Sequence, residues 1–286
     1  MGIQRLMSII PPKAKTLVEF SELAGKVILI DGSIYLYHFL AKPTRSNSHI
    51  YGYYQMMHRF LNNRITPIVL FDGKPPDEKK TTIEKRAKTK TIKVDQSMID
   101  DIKKLLDHMG ISHYQSNNES DFLAIKMFRD SQIYAILSDD TDFIFHMCPF
   151  VLRKFDFRSN KLELVNTSLV LELLGVTVSQ FKVICLSAGS DYTVARSSIE
   201  SAYKKIKSGD DCSADDYNAI LESLEYYVDQ SYDTEIIVSP YQYYRYDYEE
   251  LSPWLKEKCN FKTDTLYRHF VNLMKFNFRL RIDITS

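Results

Sequence analysis

The 286-residue chain has no excess of either charge, since 37 Lys and Arg are matched by 37 Asp and Glu. Composition alone therefore gives no reason to expect a nucleic-acid partner, and the local distribution of charge has to decide. Cysteine is sparse. Cys148, Cys185, Cys212 and Cys259 lie far apart and form no CxxC pair, which argues against a zinc site or a disulfide framework and for a reducing, intracellular setting. No stretch resembles a signal peptide or is apolar for long enough to span a membrane, so no membrane partner is expected. The Met-Gly start has Leu6 where a myristoylation signal needs Ser or Thr. No internal repeat is present. What remains, 44% hydrophobic and 26% charged residues, is the make-up of an ordinary soluble globular protein. Its length allows one large domain or two small ones.

The most informative stretch runs from Gln132 to Phe145. Its first half is a short apolar run of the kind that forms a strand buried on both faces, and it ends in Asp139, Asp140 and Asp142. The runs Lys26–Ile30 and Pro67–Phe71 each close on Asp-Gly, at Asp31-Gly32 and Asp72-Gly73, and Val183–Leu186 leads to Asp191. A single Asp-Gly is an ordinary turn signal. Several apolar runs ending in acid, at the strand ends where open α/β sheets bind ligands, point to a metal site.

In chain order, a short amphipathic segment is stopped by Pro11-Pro12, and a strand runs into Asp31. A helix follows carrying Tyr35, Tyr37 and Phe39, then a second over Tyr51–Asn63, then a strand ending at Asp72. Between Lys74 and Lys93 the chain is basic and nearly devoid of apolar residues. It is either a solvated surface helix or, placed directly after an acid, a phosphate-holding segment. Ser97–Met109 predicts an amphipathic helix stopped by Gly110. Glu119 and Asp121 open the next helix, as metal ligands or simply as first-turn acids that complement its dipole. A hairpin over Phe150–Phe157 and Lys161–Val165, a short helix ended by Gly175, and helices over Ile199–Lys207, Ala214–Asp229, around Trp254 and over Leu266–Phe276 complete the reading. The tyrosines between Tyr241 and Tyr248 serve either base stacking or core packing.

Met1-Gly2-Ile3-Gln4, Ile30-Asp31-Gly32-Ser33, Phe71-Asp72-Gly73-Lys74-Pro75-Pro76, Glu119-Ser120-Asp121, Ser138–Asp142 and Gly189-Ser190-Asp191-Tyr192 occur in an order and spacing that resemble the flap endonuclease family, which includes the XPG-type repair nucleases. The likeness extends to about Phe276. It implies an α/β fold, a mostly parallel central sheet flanked by helices (PIN-like, the 5′-nuclease fold) with a helical C-terminal region. It further implies a nuclease core over 1–191 with a short basic arch over 74–95, and a helical DNA-binding region over 192–286 packed on the core.

By resemblance, Asp31, Asp72, Glu119, Asp121, Asp140, Asp142 and Asp191 are the carboxylates that bind two Mg²⁺ ions, for which Mn²⁺ substitutes. Asp121 stands where the family usually has Glu, and Asp139 is not one of the set. Gly2 matches the family's free amino terminus near the site, Tyr37 an aromatic residue stacking beside the scissile nucleotide, and Lys79 and Arg86 the two basic residues that reach the scissile phosphate. Lys74, Lys80, Lys85, Arg196, Ser198, Lys204 and Lys205 are expected to contact the nucleic acid. Phosphodiester hydrolysis needs a hydroxide at neutral pH and neutralised phosphate oxygens, and two hard cations about 4 Å apart, held by carboxylates, supply both.

Two departures narrow the expectation. The chain between Asp72 and Glu119 is shorter than in cellular flap endonucleases, which reduces the arch. Arg196-Ser197-Ser198-Ile199 stands where the family has a glycine-rich, potassium-binding turn, which counts against K⁺. No sliding-clamp motif is found. The expectation is a monomeric, metal-dependent, structure-specific 5′ nuclease acting on DNA with a 5′ flap, nick, gap or double-strand end, in replication, repair or recombination, in the nucleus or a viral replication compartment. The alternatives are a 5′ to 3′ exonuclease or an RNA-directed nuclease of the same fold, or a catalytically inactive nucleic-acid-binding scaffold.

Overall fold

A computed structural model describes residues 2–41, 47–73, 92, 94–117, 119–130, 132–191, 193–209, 215–231 and 245–285. The elements in chain order are α1 (Leu6–Ile9), β1 (Lys15–Glu19), β2 (Val27–Asp31), α2 (Gly32–Ala41), α3 (Ser48–Asn62), β3 (Thr66–Phe71), α4 (Gln96–Met109), β4 (His113–Gln115) and α5 (Ser120–Arg129). There follow β5 (Ala135–Leu137), α6 (Asp142–Phe145), β6 (Phe150–Arg153), β7 (Lys161–Asn166), α7 (Thr167–Leu174), α8 (Val178–Ala188), α9 (Ile199–Lys207), α10 (Asp215–Asp229), α11 (Tyr248–Cys259) and α12 (Thr263–Thr285). This is the expected α/β fold. Its strand pairing is mixed, with β2–β3 and β5–β6 parallel and β1–β7 and β6–β7 antiparallel. No single helix among the described residues is long and apolar enough to cross a membrane.

The helix limits follow local signals. Asp95 accepts the Met98 N–H at 3.0 Å to start α4, and Gly110 ends it at φ 66. Thr177 and Gln180 form a reciprocal capping box at the start of α8. Asn166 caps α7 and Gly175 closes it at φ 62. The apolar run Val183–Leu186, grouped in sequence with three strand-like runs, is helical and lies within α8. Lys15–Glu19, without an apolar run, is a strand. It pairs with β7 in the register Lys15↔Val165 to Glu19↔Lys161.

The chain divides into two compact units. The first is drawn from Met1–Glu19, Asp72–Lys90 and Gln115–Ile237, the second from Phe20–Phe71, Thr91–Tyr114 and Val238–Ser286.

In the first unit the strands run in the order β1-β7-β6-β5. Ala135, Ile136, Leu137, Val151, Leu152, Leu162 and Val165 are fully buried, as are Phe122 and Ile125 of α5 and Ile184 and Cys185 of α8. Each large apolar side chain so buried contributes about 1.5–3 kcal/mol. Helix α10 is tied to α5 and α8 through Glu225, which meets Arg129 at 2.7 Å and Lys182 at 3.3 Å.

In the second unit the parallel pair β2–β3 places Asp31 opposite Leu70, and α3 packs on α2, β3, α4, α11 and α12. The Tyr53 hydroxyl donates to the Gly32 carbonyl, fixing the junction of β2 and α2. Gly32 admits no side chain, because a Cβ there would meet the Leu70 carbonyl oxygen at 2.5 Å. Lys258 of α11 pairs with Asp101 of α4 at 3.0 Å.

Candidate active site

The acids of the first unit come from stretches far apart in the chain, and hydrogen bonds join them in two groups. Ser120 donates its backbone N–H at 3.1 Å and its hydroxyl at 2.7 Å to Oδ1 of Asp72. Ser120 lies between Glu119, the residue that precedes α5, and Asp121 in its first turn. The clasp therefore brings Asp72 to Glu119 and Asp121. Gly73 lies so close to Ser116 and Asn117 that a Cβ on it would overlap their backbone, and Gln115 Nε2 donates to the Asp72 carbonyl at 3.0 Å. No side-chain cap is formed by Glu119 at the start of α5, so capping does not account for that acid.

The second group is built on the turn from β5 into α6. The Ser138 N–H donates to Leu152 O at 3.0 Å, the Asp140 N–H to Ser138 Oγ at 3.0 Å, and the Asp142 N–H to Asp140 Oδ1 at 3.1 Å. Asp140 and Asp142 are only 8% and 6% exposed, a costly place for a carboxylate without compensation. The amino-terminal residues pack against this turn. Thr141 Oγ1 donates to Ile3 O at 3.4 Å, and Gly2, at φ +79, leaves no room for a Cβ, which would run into the side-chain oxygens of Asp140, Thr141 and Asp142. The next residue but one carries the link further. The Gln4 N–H donates to Gly189 O at 3.2 Å, on the turn that bears Asp191, and Ser190 and Thr193 hold that turn through hydroxyl bonds of 3.0–3.1 Å.

The two groups sit at the first turns of α5 and α6, helices that pack on each other, with the Phe122 and His146 rings edge to face at 6.2 Å. Two buried thiols register the acids. Burial, and then Asp121, push the Cys148 thiol up, and burial, and then Asp142, do the same to Cys185.

Asp31 and Tyr37 belong to the second unit. Asp31 is 7% exposed and its Oδ1 accepts the Ile34 N–H at 3.0 Å, capping α2. Burial, and then Asp31, raise the Tyr53 hydroxyl well above its ordinary range. Tyr37 is half-buried on α2.

The other nominated residues divide. Arg196 is exposed with its guanidinium 5.3 Å from the Tyr217 ring centre, Ser198 caps α9 by accepting the Ser201 N–H at 3.2 Å, and Lys204 and Lys205 are exposed in the last turn of that helix. Lys74, Lys79, Lys80, Lys85 and Arg86 lie outside the described residues, as do Tyr192, Tyr241, Tyr243 and Tyr244. Among the described residues no group of three or more His, Cys, Asp and Glu side chains stands close enough to hold a metal ion. Ser120 and Ser138, which organise the acids, are not singled out by sequence reasoning. Their only signal is a small hydroxyl residue set beside or between carboxylates.

Comparison with known proteins matches residues 1–93 to the XPG N-terminal domain and residues 110–191 to the XPG I-region. Flap endonuclease 1 of Saccharomyces cerevisiae is 28% identical over 232 residues, which cover 67% of this chain and 61% of that protein. Flap endonuclease 1 of Cryptosporidium muris is 26% identical over 257 residues, covering 72% and 54%. The chain thus spans about half to three fifths of the length of these relatives. In fold it is similar to the catalytic core of Rad2 in complex with DNA substrate (TM-score 0.74, 21% identity, 95% of this chain and 100% of that one) and to flap endonuclease-1 from Methanococcus jannaschii (0.72, 24%, 94% and 97%). It is also similar to human GEN1 in complex with Holliday junction DNA (0.78, 14%, 100% and 80%). With both regions matched in order, and the acid-bearing turns lying inside them, the chain belongs to the flap endonuclease/XPG family.

Proposed function

We propose that the chain is a divalent-metal-dependent, structure-specific 5′ nuclease that hydrolyses DNA phosphodiesters at junctions between single and double strand. The observation that carries this reading is the N-terminal tether. Residues 2–4 join the Asp140–Asp142 turn to the Gly189–Asp191 turn, while Ser120 joins Asp72 to Glu119 and Asp121. Six carboxylates from separate stretches thereby fall into two hydrogen-bonded groups within one unit, and among the described residues no three of them stand close enough to hold an ion as they lie. The donor set fits Mg²⁺, a hard cation that takes carboxylate and water oxygens, and the missing Cβ of Gly2 keeps space beside Asp140 and Asp142. Asp31 of the second unit is assigned to the same set by the family, and its role is proposed on that assignment.

When bound, Mg²⁺ lowers the pKa of a coordinated water and neutralises phosphate oxygens. The chain's own residues have separate tasks. Ser120 holds Asp72 in one orientation, the turn from Ser138 to Asp142 presents two acids from one hydrogen-bonded loop, and Arg196, Ser198, Lys204 and Lys205 offer sequence-independent contacts to backbone phosphates. Lys79 and Arg86 are proposed to reach the scissile phosphate, and Tyr37 to stack beside the nucleotide.

The test is incubation with labelled 5′-flap, nicked, gapped and blunt duplexes and with single-stranded RNA, each with Mg²⁺ and with EDTA. Cleavage of junction DNA that EDTA stops is expected. Cleavage confined to RNA overturns the DNA assignment, and binding without cleavage favours an inactive scaffold. Asp142→Asn is expected to abolish cutting and spare binding. Arg86→Ala is expected to slow cutting with metal binding intact, and a full rate in that variant would reduce the basic segment to surface.

A further inference from the structure

Asp139 is an acid inside the acid-rich turn, yet its side chain is engaged elsewhere. Its Oδ1 accepts the Lys154 N–H at 3.1 Å and lies 3.7 Å from Arg153 Nε, while its carbonyl oxygen accepts from Arg153 Nη2 at 3.2 Å. Arg153 is thus hydrogen-bonded to the backbone of Asp139 and stands in ion-pair range of its side chain, while its buried Nε makes no hydrogen bond. Behind it stands Glu163 of β7, the strand paired antiparallel to β6 with Arg153 opposite Glu163. Glu163 Oε1 lies 3.8 Å from Arg153 Nη1, and its Oε2 accepts from Lys154 Nζ at 2.7 Å. The Arg153 and Glu163 side chains are only 11% and 12% exposed, so this is an ion pair sheltered from water, where attraction is screened little. Lys154 supplies its N–H from a left-handed conformation, φ 60, which a lysine adopts rarely. Such backbone persists where surrounding contacts fix it and gathers at functional turns.

We propose that Arg153, backed by Glu163, is a positioning residue of the metal site: through Asp139 it fixes the peptide that leads into Asp140 and so sets where Asp140 and Asp142 place their oxygens. The inference rests on the metal-dependent reading above and adds to it the group that holds the ligand loop from behind. Outer partners of this kind orient ligands without touching the ion, and changing them costs metal affinity or activity. A guanidinium suits the position because it spreads its charge over three nitrogens, one bonded to the Asp139 carbonyl and the others within ion-pair range of the Asp139 carboxylate and of Glu163, where a lysine ammonium has one point of charge.

The experiment measures Mn²⁺ binding by calorimetry, the Mg²⁺ concentration giving half-maximal cleavage, and the melting temperature in EDTA. The proteins are the unaltered chain, Arg153→Lys, Glu163→Gln and the milder Asp139→Asn, whose side chain is 41% exposed and therefore tolerant. The expected result is Mn²⁺ affinity weakened about tenfold in Arg153→Lys, Glu163→Gln and Asp139→Asn, a matching rise in the Mg²⁺ requirement, and, for Asp139→Asn, an EDTA melting temperature equal to that of the unaltered protein. Asp139→Asn binding Mn²⁺ as tightly as the unaltered chain overturns the proposal. So does an Arg153→Lys protein that melts earlier but keeps full metal affinity, which would make the pair a structural prop alone. An unaltered chain that takes up no Mn²⁺ and cuts nothing overturns the functional reading itself, and this inference with it.

Discussion

Ser120 donates both its backbone N–H and its hydroxyl to a single oxygen of Asp72, 48 residues away in the chain. The hydroxyl is buried, and its removal leaves the N–H bond in place. Ser120→Ala is therefore expected to cost about 1 kcal/mol of stability and to weaken Mn²⁺ binding about tenfold. Calorimetric titration checks this, and unchanged affinity would show that the clasp serves folding only.

Gly2 packs where the oxygens of Asp140, Thr141 and Asp142 leave no space, with Thr141 Oγ1 2.6 Å and Asp142 Oδ1 2.8 Å from where a Cβ would sit. It also has a backbone angle that side chains disfavour. Gly2→Ala is expected to displace the tether, lower the melting temperature and reduce cleavage, with stability falling by roughly 1 kcal/mol or more. Thermal melting and a flap-cleavage assay on the same preparation measure both effects, and full activity in the variant would show that the contact is incidental.

Carboxylates buried near one another repel, and a cation bound by the folded chain alone stabilises it by mass action. Mg²⁺ or Mn²⁺ is expected to raise the melting temperature with concentration, at 100-fold excess over Kd by about 2.7 kcal/mol of stability, and EDTA to reverse it. A melting curve indifferent to metal counts against the site.

The His58 and His269 rings of the second unit stack at 3.8 Å, with His269 Nδ1 2.9 Å from the Tyr54 hydroxyl. Burial, and then His269, press His58 from 6.5 down to about 3. The folded value lies below the unfolded one, so at neutral pH both states are uncharged and the pair costs nothing. As pH falls below about 6.5 the unfolded chain takes up a proton that the folded chain refuses, and stability drops by up to about 1.4 kcal/mol per pH unit until His58 itself titrates. Melting at pH 7.5 and 5.5 is expected to show this loss, and His58→Phe to reduce it, with burial of His49 and His269 supplying the remainder.

Much of the fold is legible in the sequence because its strands are continuous apolar runs and its helices carry caps. Gly110 and Gly175 mark their helix ends in the structure as the sequence suggests. Two elements escape for physical reasons. β1, Lys15–Glu19, is an edge strand with Leu17 68% exposed, and its partner β7 lies some 150 residues on, beyond any local pattern. Val183–Leu186 has the look of a buried strand because a helix buried on most sides is apolar most of the way round. Only the capping pair Thr177 and Gln180, ahead of the run, tells the two apart. Acids at turns can be picked out by type, whereas Ser120, Arg153 and Glu163 draw their importance from what they touch, and no spacing announces it.

The division of the chain carries one more consequence. Its six segments alternate between the units, so the polypeptide passes from one to the other five times. No single cut, at any residue, leaves the two units on separate fragments. Genetic dissection into halves is bound to yield incomplete bodies, and point substitution is the route by which the contribution of each can be separated.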